Sequence, residues 1–321
     1  MELSERVAGC FRGLTTGDAI GKQSEMLSHA AVRRWYPEGI HGFCGVPGAV
    51  IERYIGNRRY EWRTGETTDD TEQTLAVARA ILRDHDVQHA SVGLELLKCK
   101  KSVHPDVRSI WSFQQSGDPN HIAAEGDGCG AAMRVAPVGV LFCSNRLDDL
   151  VRGAYEASIS THGGQRAISG AAAVACAVSA ALDGRSSSEI LRVSVRAAQM
   201  AEVLAPSSAL TMATAIQTMH DDLSQWATLT ADDLAAKYFP DRPETKVPLA
   251  INLAVITQSA RETILLAANV GGDADSIASI GGAIAGAMRP ESTNQNWFDV
   301  VTQVNADNYL ETAQALASLR R

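Results

Sequence analysis

Two short stretches hold the residues best suited to chemistry. GETTDDT (65–71) carries Thr68, Asp69 and Asp70, and GGDADS (271–276) carries Asp273, Asp275 and Ser276. Each alone reads as a helix start, because Asp, Ser and Thr side chains accept hydrogen bonds from the free N–H groups there. A cap needs one oxygen, however, whereas each stretch offers two carboxylates and at least one hydroxyl. Carboxylates this close repel one another unless a cation lies between them. A helix N-terminus also favours the ionised carboxylate, the form that binds metal. The donors are all oxygen, which suits Mg²⁺, Mn²⁺ or Ca²⁺ rather than zinc or copper. Four aspartates would balance two divalent ions, so a two-metal site is the sharper expectation.

The elements that must position these residues are helical. TDDTEQTLAVARAILRD (68–84) opens with hydroxyls and acids, ends in a basic turn, and repeats Leu75, Ala78, Ile81 and Leu82 along one face. Further helices are expected over 130–142, 167–182, 187–204, 247–269, 275–288 and 308–320. Gly281, Gly282 and Gly286 would weaken their helix and are expected to admit a neighbouring helix at close range. Strand-like alternation is scarce, and 35–66 reads as a long loop, of a length that is commonly functional. No repeat, heptad run or low-complexity linker divides the chain, so one all-α domain over 1–321 is expected.

Composition narrows the function. Hydrophobic residues make up 45% of the chain, enough for a sizeable core. With 29 Lys and Arg against 37 Asp and Glu, the formal charge is −8, which argues against a protein that coats nucleic-acid phosphates. Cys10, Cys44, Cys99, Cys129, Cys143 and Cys176 form no CxxC pair and no zinc-ligand spacing. The longest apolar run, 167–182, falls short of the ~20 residues of a membrane span and reads as a buried helix. No leader opens the chain, so a cytoplasmic location away from membranes is expected.

GLTTGDAIGKQSE (13–25), RTGETTDDTEQTLA (63–76), GDGCGAAMRVAP (126–137), HGG (162–164) and GGDADSIASIGGAIAGA (271–287) follow one another in this order. Together they resemble the ADP-ribosylglycohydrolase family, over nearly the whole chain. The resemblance implies a compact, orthogonal all-α bundle around a binuclear centre, with Mg²⁺ the first expectation and Mn²⁺ the second. It implies Thr68, Asp69, Asp70, Asp273, Asp275 and Ser276 as metal ligands, Ser276 standing where the family usually has Thr. Glu25 falls on the acidic residue that the family ties to catalysis; without the resemblance it reads as a surface glutamate. Asp18 reads as a capping or turn residue beside Gly17.

The glycines of GDGCGAAMR would expose backbone N–H groups suited to a pyrophosphate, although the same pattern serves an ordinary helix entry. The family's matching loop holds the ADP-ribose phosphates, which points to Asp127, Gly128, Cys129 and Gly130. Asp127 and Cys129 replace residues that are usually Asn, and a carboxylate beside phosphate requires Asp127 to point away. His162 matches a histidine lining the family's ADP-ribose cleft. Trp62 and Arg63 read as packing and surface residues ahead of any substrate role.

The implied reaction is hydrolysis of the N- or O-glycosidic bond of ADP-ribose conjugates, carried by proteins or small molecules. Nucleic acid is expected only as a carrier of the modification. Positive charge develops on the ribose as the bond breaks, and carboxylates nearby stabilise it. Metals would orient the ribose hydroxyls and acidify a water. Glu25 is the first candidate for proton transfer, with Asp69 and Asp275 behind it. A smaller riboside or nucleotide as substrate is the alternative, favoured by Asp127 and Cys129. A non-catalytic ADP-ribose binder is a third, opposed by the full set of six ligand positions.

Overall fold

The structure is a computed structural model that describes residues 2–44, 54–55, 58–59, 62–101, 108–205 and 211–321. Its helices are, in chain order, α1 Leu3–Gly21, α2 His29–Trp35, α3 Asp69–Asp84, α4 His89–Leu96, α5 Arg108–Ser116 and α6 Gly130–Met133. There follow α7 Ala136–Leu141, α8 Leu147–Ser158, α9 Gln165–Leu182, α10 Ser187–Glu202, α11 Met212–Leu223 and α12 Ala231–Tyr238. The last five are α13 Pro243–Thr257, α14 Ala260–Val270, α15 Ala274–Met288, α16 Gln295–Asn305 and α17 Tyr309–Ser318. Among the described residues the only strands are β1 Tyr54–Ile55 and β2 Arg58–Arg59, an antiparallel pair within the expected long loop. The rest of 45–61 lies outside the described residues.

Local chemistry explains where the helices begin. Thr68 caps α3 by accepting from the N–H of Asp70 at 3.1 Å. Ser186 and Glu189 form a reciprocal capping box at the start of α10. Two expected helices are each divided. The stretch 130–142 becomes α6 and α7, separated at Arg134 and Val135, with Pro137 in the first turn of α7, where its missing N–H does no harm. The stretch 247–269 breaks at Gln258, which has a left-handed φ of 52°, and Ser259 then caps α14 by accepting from the N–H of Glu262.

The core is one continuous cluster of buried apolar side chains. At its centre lies α9, all of whose residues except Arg166 are buried, packed against α7, α8, α10 and α15. By length and composition α9 could cross a membrane, but 94% of it is buried inside the fold.

The contact that positions the site is between α1 and α15. Gly9, Gly13, Gly17 and Gly21 recur every fourth residue and meet Gly286, Gly282, Ala278 and Ala274 in reverse order. A Cβ added at Gly13 would lie 2.0 Å from the carbonyl oxygen of Gly282, and one at Gly17 would lie 2.1 Å from that of Ala278. The close approach expected of Gly282 and Gly286 is therefore with α1, while Gly281 faces Thr263 and Ala250. This antiparallel seam brings the end of α1 against the beginning of α15.

Candidate active site

Three helix ends meet here, and Asp18 ties two of them. It is fully buried in the last turn of α1, and its carboxylate accepts from the N–H of Thr68 at 2.9 and 3.0 Å. The Thr71 N–H (3.1 Å) and hydroxyl (2.5 Å) also donate to it. Asp18 is thus a cap, but for α3 rather than for its own turn.

Asp70 links the two acidic stretches. Its Oδ2 lies 3.4 Å from both the Thr68 and the Ser276 hydroxyl oxygens. Asp70 and Asp275 are each 2% exposed, and Oδ1 of each has no hydrogen-bond partner among the described residues. Burial, then the charges of Asp275, Asp18, Asp69 and Asp273, push the Asp70 carboxyl well above the usual range. Burial, then Glu25 and Asp273, do the same to Asp275, with Lys22 opposing. Buried carboxylate oxygens without partners are costly unless a cation or donor compensates them. Hard oxygen donors of this kind suit Mg²⁺ or Mn²⁺, so the residues fit the expected ions.

Asp69 and Asp273 are engaged differently. Asp69 accepts from the Gln73 amide at 3.1 Å. Asp273 forms an ion pair with Lys246 at 2.8 Å and accepts from the Cys129 thiol at 2.8 Å. Burial would raise the Asp273 pKa, yet the Lys246 charge and the Cys129 hydrogen bond outweigh it and hold the carboxyl low. Among the described residues no group of three or more His, Cys, Asp or Glu side chains forms a ready metal cage. For Asp273 to ligate, its carboxylate must turn from Lys246 or be shared with it.

Glu25 follows the end of α1, 20% exposed, with Oε2 3.1 Å from the Lys22 ammonium. Its electrostatic influence on Asp275 puts it beside the acidic cluster. A reciprocal pair of backbone bonds fixes the next residues. The Met26 N–H donates to the Gly272 carbonyl at 2.7 Å, and the Gly272 N–H donates to the Leu27 carbonyl at 2.8 Å.

The glycine loop reaches the same cluster through Cys129, whose sulfur is 3.7 Å from the Ser276 hydroxyl. Asp127 accepts from the Arg166 N–H at 2.9 Å, at the start of α9. Gly128 and Gly130 face His162, and a Cβ on Gly130 would lie 2.7 Å from the imidazole Cε1. His162 Nδ1 is 2.7 Å from the Thr161 hydroxyl, which also accepts from Arg134. Burial, then the Arg134 charge, pushes the imidazole pKa down to about 3, so the ring is neutral at physiological pH. The short α6 makes this a backbone loop against an imidazole rather than the end of a long helix dipole.

Three cations were not singled out from sequence. Lys22 stands three residues before Glu25, a spacing from which an ion pair can be anticipated. Buried Arg134 lies inside the quoted GDGCGAAMR motif, where it bonds Gln73, Ala157 and Thr161. Lys246 gives no local signal, because only the tertiary fold brings α13 to Asp273. Trp62 is buried and Arg63 exposed, in keeping with packing and surface roles.

The ADP-ribosylglycohydrolase family model matches residues 1–321. An uncharacterised protein of Archaeoglobus fulgidus is 28% identical over 291 residues, covering 89% of this chain and 88% of its own. The uncharacterised protein YegU of Escherichia coli is 27% identical over 343 residues, covering 99% and 98%. ADP-ribosyl-[dinitrogen reductase] glycohydrolase of Rhodospirillum rubrum is 30% identical over 142 residues, covering 42% of this chain and 44% of its own. A solved structure described as an ADP-ribosylglycohydrolase-related protein complex superimposes with a TM-score of 0.71 at 23% identity, covering 100% of this chain and 99% of that one, and so shares the fold. With its full length matched and its helices arranged alike, the chain belongs to the ADP-ribosylglycohydrolase family.

Proposed function

We propose that this protein hydrolyses the glycosidic bond joining ADP-ribose to a carrier, in a reaction that depends on two divalent cations, Mg²⁺ first and Mn²⁺ second. The observation that carries this is the pair of buried, partnerless carboxylate oxygens on Asp70 and Asp275, within one acidic cluster. Thr68, Asp69, Asp70, Asp273, Asp275 and Ser276 would hold the ions. When bound, the ions would supply Lewis-acid charge that orients the ribose diol and acidifies a water.

The chain's own residues do the rest. The negative charge of Asp70 and Asp275 stabilises positive charge developing at the anomeric carbon. Glu25, whose carboxylate Lys22 holds in position, takes a proton from the attacking water and passes it to the departing atom. Gly128 and Gly130 offer backbone to the pyrophosphate, with neutral His162 as the wall behind them. Asp127 is turned to the Arg166 N–H at the start of α9.

A smaller riboside or nucleotide is a second reading. It is favoured by Cys129, whose thiol is directed at Asp273 instead of extending the polar phosphate loop. Turnover of ADP-ribosyl-arginine, ADP-ribosyl-serine, O-acetyl-ADP-ribose, ADP-ribosylated nucleic acid and simple ribosides, each with Mg²⁺, with Mn²⁺ and with EDTA, tests both. Hydrolysis restricted to simple ribosides favours the second reading. ADP-ribose binding without any turnover makes the protein a binder.

A further inference from the structure

Met26, the residue after Glu25, is held in an unfavourable way. Its φ is 63°, in the left-handed region, and its side chain is 61% exposed. Each feature opposes the choice of Met: the backbone conformation costs about 1–2 kcal/mol for a residue with a Cβ, and the thioether meets water. Glycine would avoid both. Non-glycine residues held in such conformations cluster at functional sites.

The Met26 side chain borders a cleft of about 450 Å³. Met26, Leu27, Phe239 and Pro240 supply its apolar walls, while Lys246 and Asp273 stand at the end shared with the acidic cluster. The cleft therefore starts at the candidate metal ligands and runs beside the residue that follows the candidate acid. A group leaving the ribose towards Glu25 would enter it.

We infer that this cleft receives the leaving group, and that it selects a single aromatic or heteroaromatic ring over a guanidinium or a small hydroxyl side chain. This rests on the hydrolase reading above and names the substrate class for the same site. A thioether, a phenyl ring and a proline ring offer flat apolar contacts to a planar ring. Lys246 offsets the charge of Asp273, so a guanidinium finds no free carboxylate at this end, while the ammonium can still donate to a ring carbonyl or nitrogen. Asp241, the acid at the rim, already faces Arg242 at 3.5 Å. In the reaction the bond between the anomeric carbon and the ring atom breaks, and its electron pair stays with the ring. A water oxygen bonds to the carbon as the Glu25 carboxylate takes one of its protons, and Glu25 passes that proton to the departing atom.

The test compares ADP-ribose conjugates of 4-nitrophenol, arginine and serine, using the full chain with Mg²⁺. Wild type is expected to show its highest kcat/KM on the aryl conjugate. Met26→Gly should lower the ratio of aryl to arginine kcat/KM by roughly tenfold, the scale for losing one apolar contact, while its Tm stays level or rises because the strain is relieved. A merely structural Met26 would leave the ratio alone, whatever happens to Tm. Equal loss on all three conjugates, or a wild type that prefers arginine or serine, overturns the inference. If no conjugate is hydrolysed, the hydrolase reading fails, and the cleft is judged by binding. The Met26 methyl NMR signal, assigned with Met26→Leu, should shift when 4-nitrophenol is added alongside ADP-ribose, and an unmoved signal overturns the cleft assignment as well.

Discussion

The carboxylate of Asp18 on α1 grips the backbone N–H of Thr68, at 2.9 and 3.0 Å, and thereby fixes the first turn of α3. That turn carries Thr68, Asp69 and Asp70, so a residue outside the proposed ligand set determines where three of its members stand. Asp18→Asn replaces one acceptor oxygen by a donor facing other donors. It should lower stability by about 1–3 kcal/mol, the cost of unsatisfied buried groups. It should also weaken Mg²⁺ binding roughly 10–100-fold, as loss of a supporting hydrogen bond does at metal sites. Denaturant unfolding and calorimetric titration with Mg²⁺ measure the two effects separately, and unchanged affinity would remove Asp18 from the site.

Asp70 and Asp275 should trade stability for binding. Each has a folded-state pKa raised first by burial and then by neighbouring acids. A carboxyl raised in this way contributes stability below its unfolded pKa and loses that contribution as pH rises towards the folded value. On going from pH 7.5 to pH 5 the metal-free wild type should accordingly lose less stability, or gain more, than Asp70→Asn or Asp275→Asn does. At pH 7.5 either substitution should raise the metal-free Tm, on the order of 1–2 °C per kcal/mol relieved. The same variants should lose the Tm increase that Mg²⁺ gives wild type, along with turnover. Thermal scans at the two pH values with and without Mg²⁺ decide it.

Glu25 is less buried than Asp70 and Asp275 and is paired with Lys22. Glu25→Gln should lower turnover by ~10²–10⁴-fold, the usual contribution of general acid–base catalysis, with Mg²⁺ affinity nearly unchanged. Near-wild-type turnover on the best conjugate would exclude it from proton transfer.

The glycine loop and His162 make a paired prediction. ADP-ribose should bind more than tenfold better than ribose 5-phosphate, a difference of ~1.4 kcal/mol or greater. Gly130→Val should remove most of that advantage, because the new side chain must displace His162. Cys129→Asn should preserve or increase it. The neutral imidazole also has a pH signature. With a folded pKa of about 3 against 6.5 for an ordinary histidine, its contribution is complete above 6.5 and is lost as pH falls towards 3. The loss is about 1.4 kcal/mol per pH unit over that window, and His162→Gln should abolish it in acid-denaturation profiles.

Much of this fold was legible because its helices announce themselves. Thr68 with the acids after it marked α3, and the apolar density of 167–182 marked α9. The division of 247–269 is marked in the sequence too: Ser259 followed three residues later by Glu262, within the polar stretch 257–263, is a helix-start pattern. The four glycines of α1, at every fourth position, were an equally plain sign of close helix contact. The acidic residues of the site were legible as pairs and were expected to share one centre, but the cap that sets the start of α3, Asp18 reaching across from α1, was not legible. Lys246 was beyond reach for the same reason. It is an ordinary helix lysine until the tertiary fold delivers it to Asp273.

The seam between α1 and α15 divides the molecule into what can vary and what cannot. Where peptide carbonyls meet glycine Cα atoms directly, no side chain remains to be exchanged for a larger or smaller one. The spacing between Asp18 and the start of α15 is therefore closed to gradual adjustment by substitution. Diversification must come from the borders that the seam does not include, namely the turn after Gly21, the segment around Phe239 and Pro240, and the glycine loop. A lineage of such proteins could change what it cleaves while inheriting, unaltered, the frame that holds its acids.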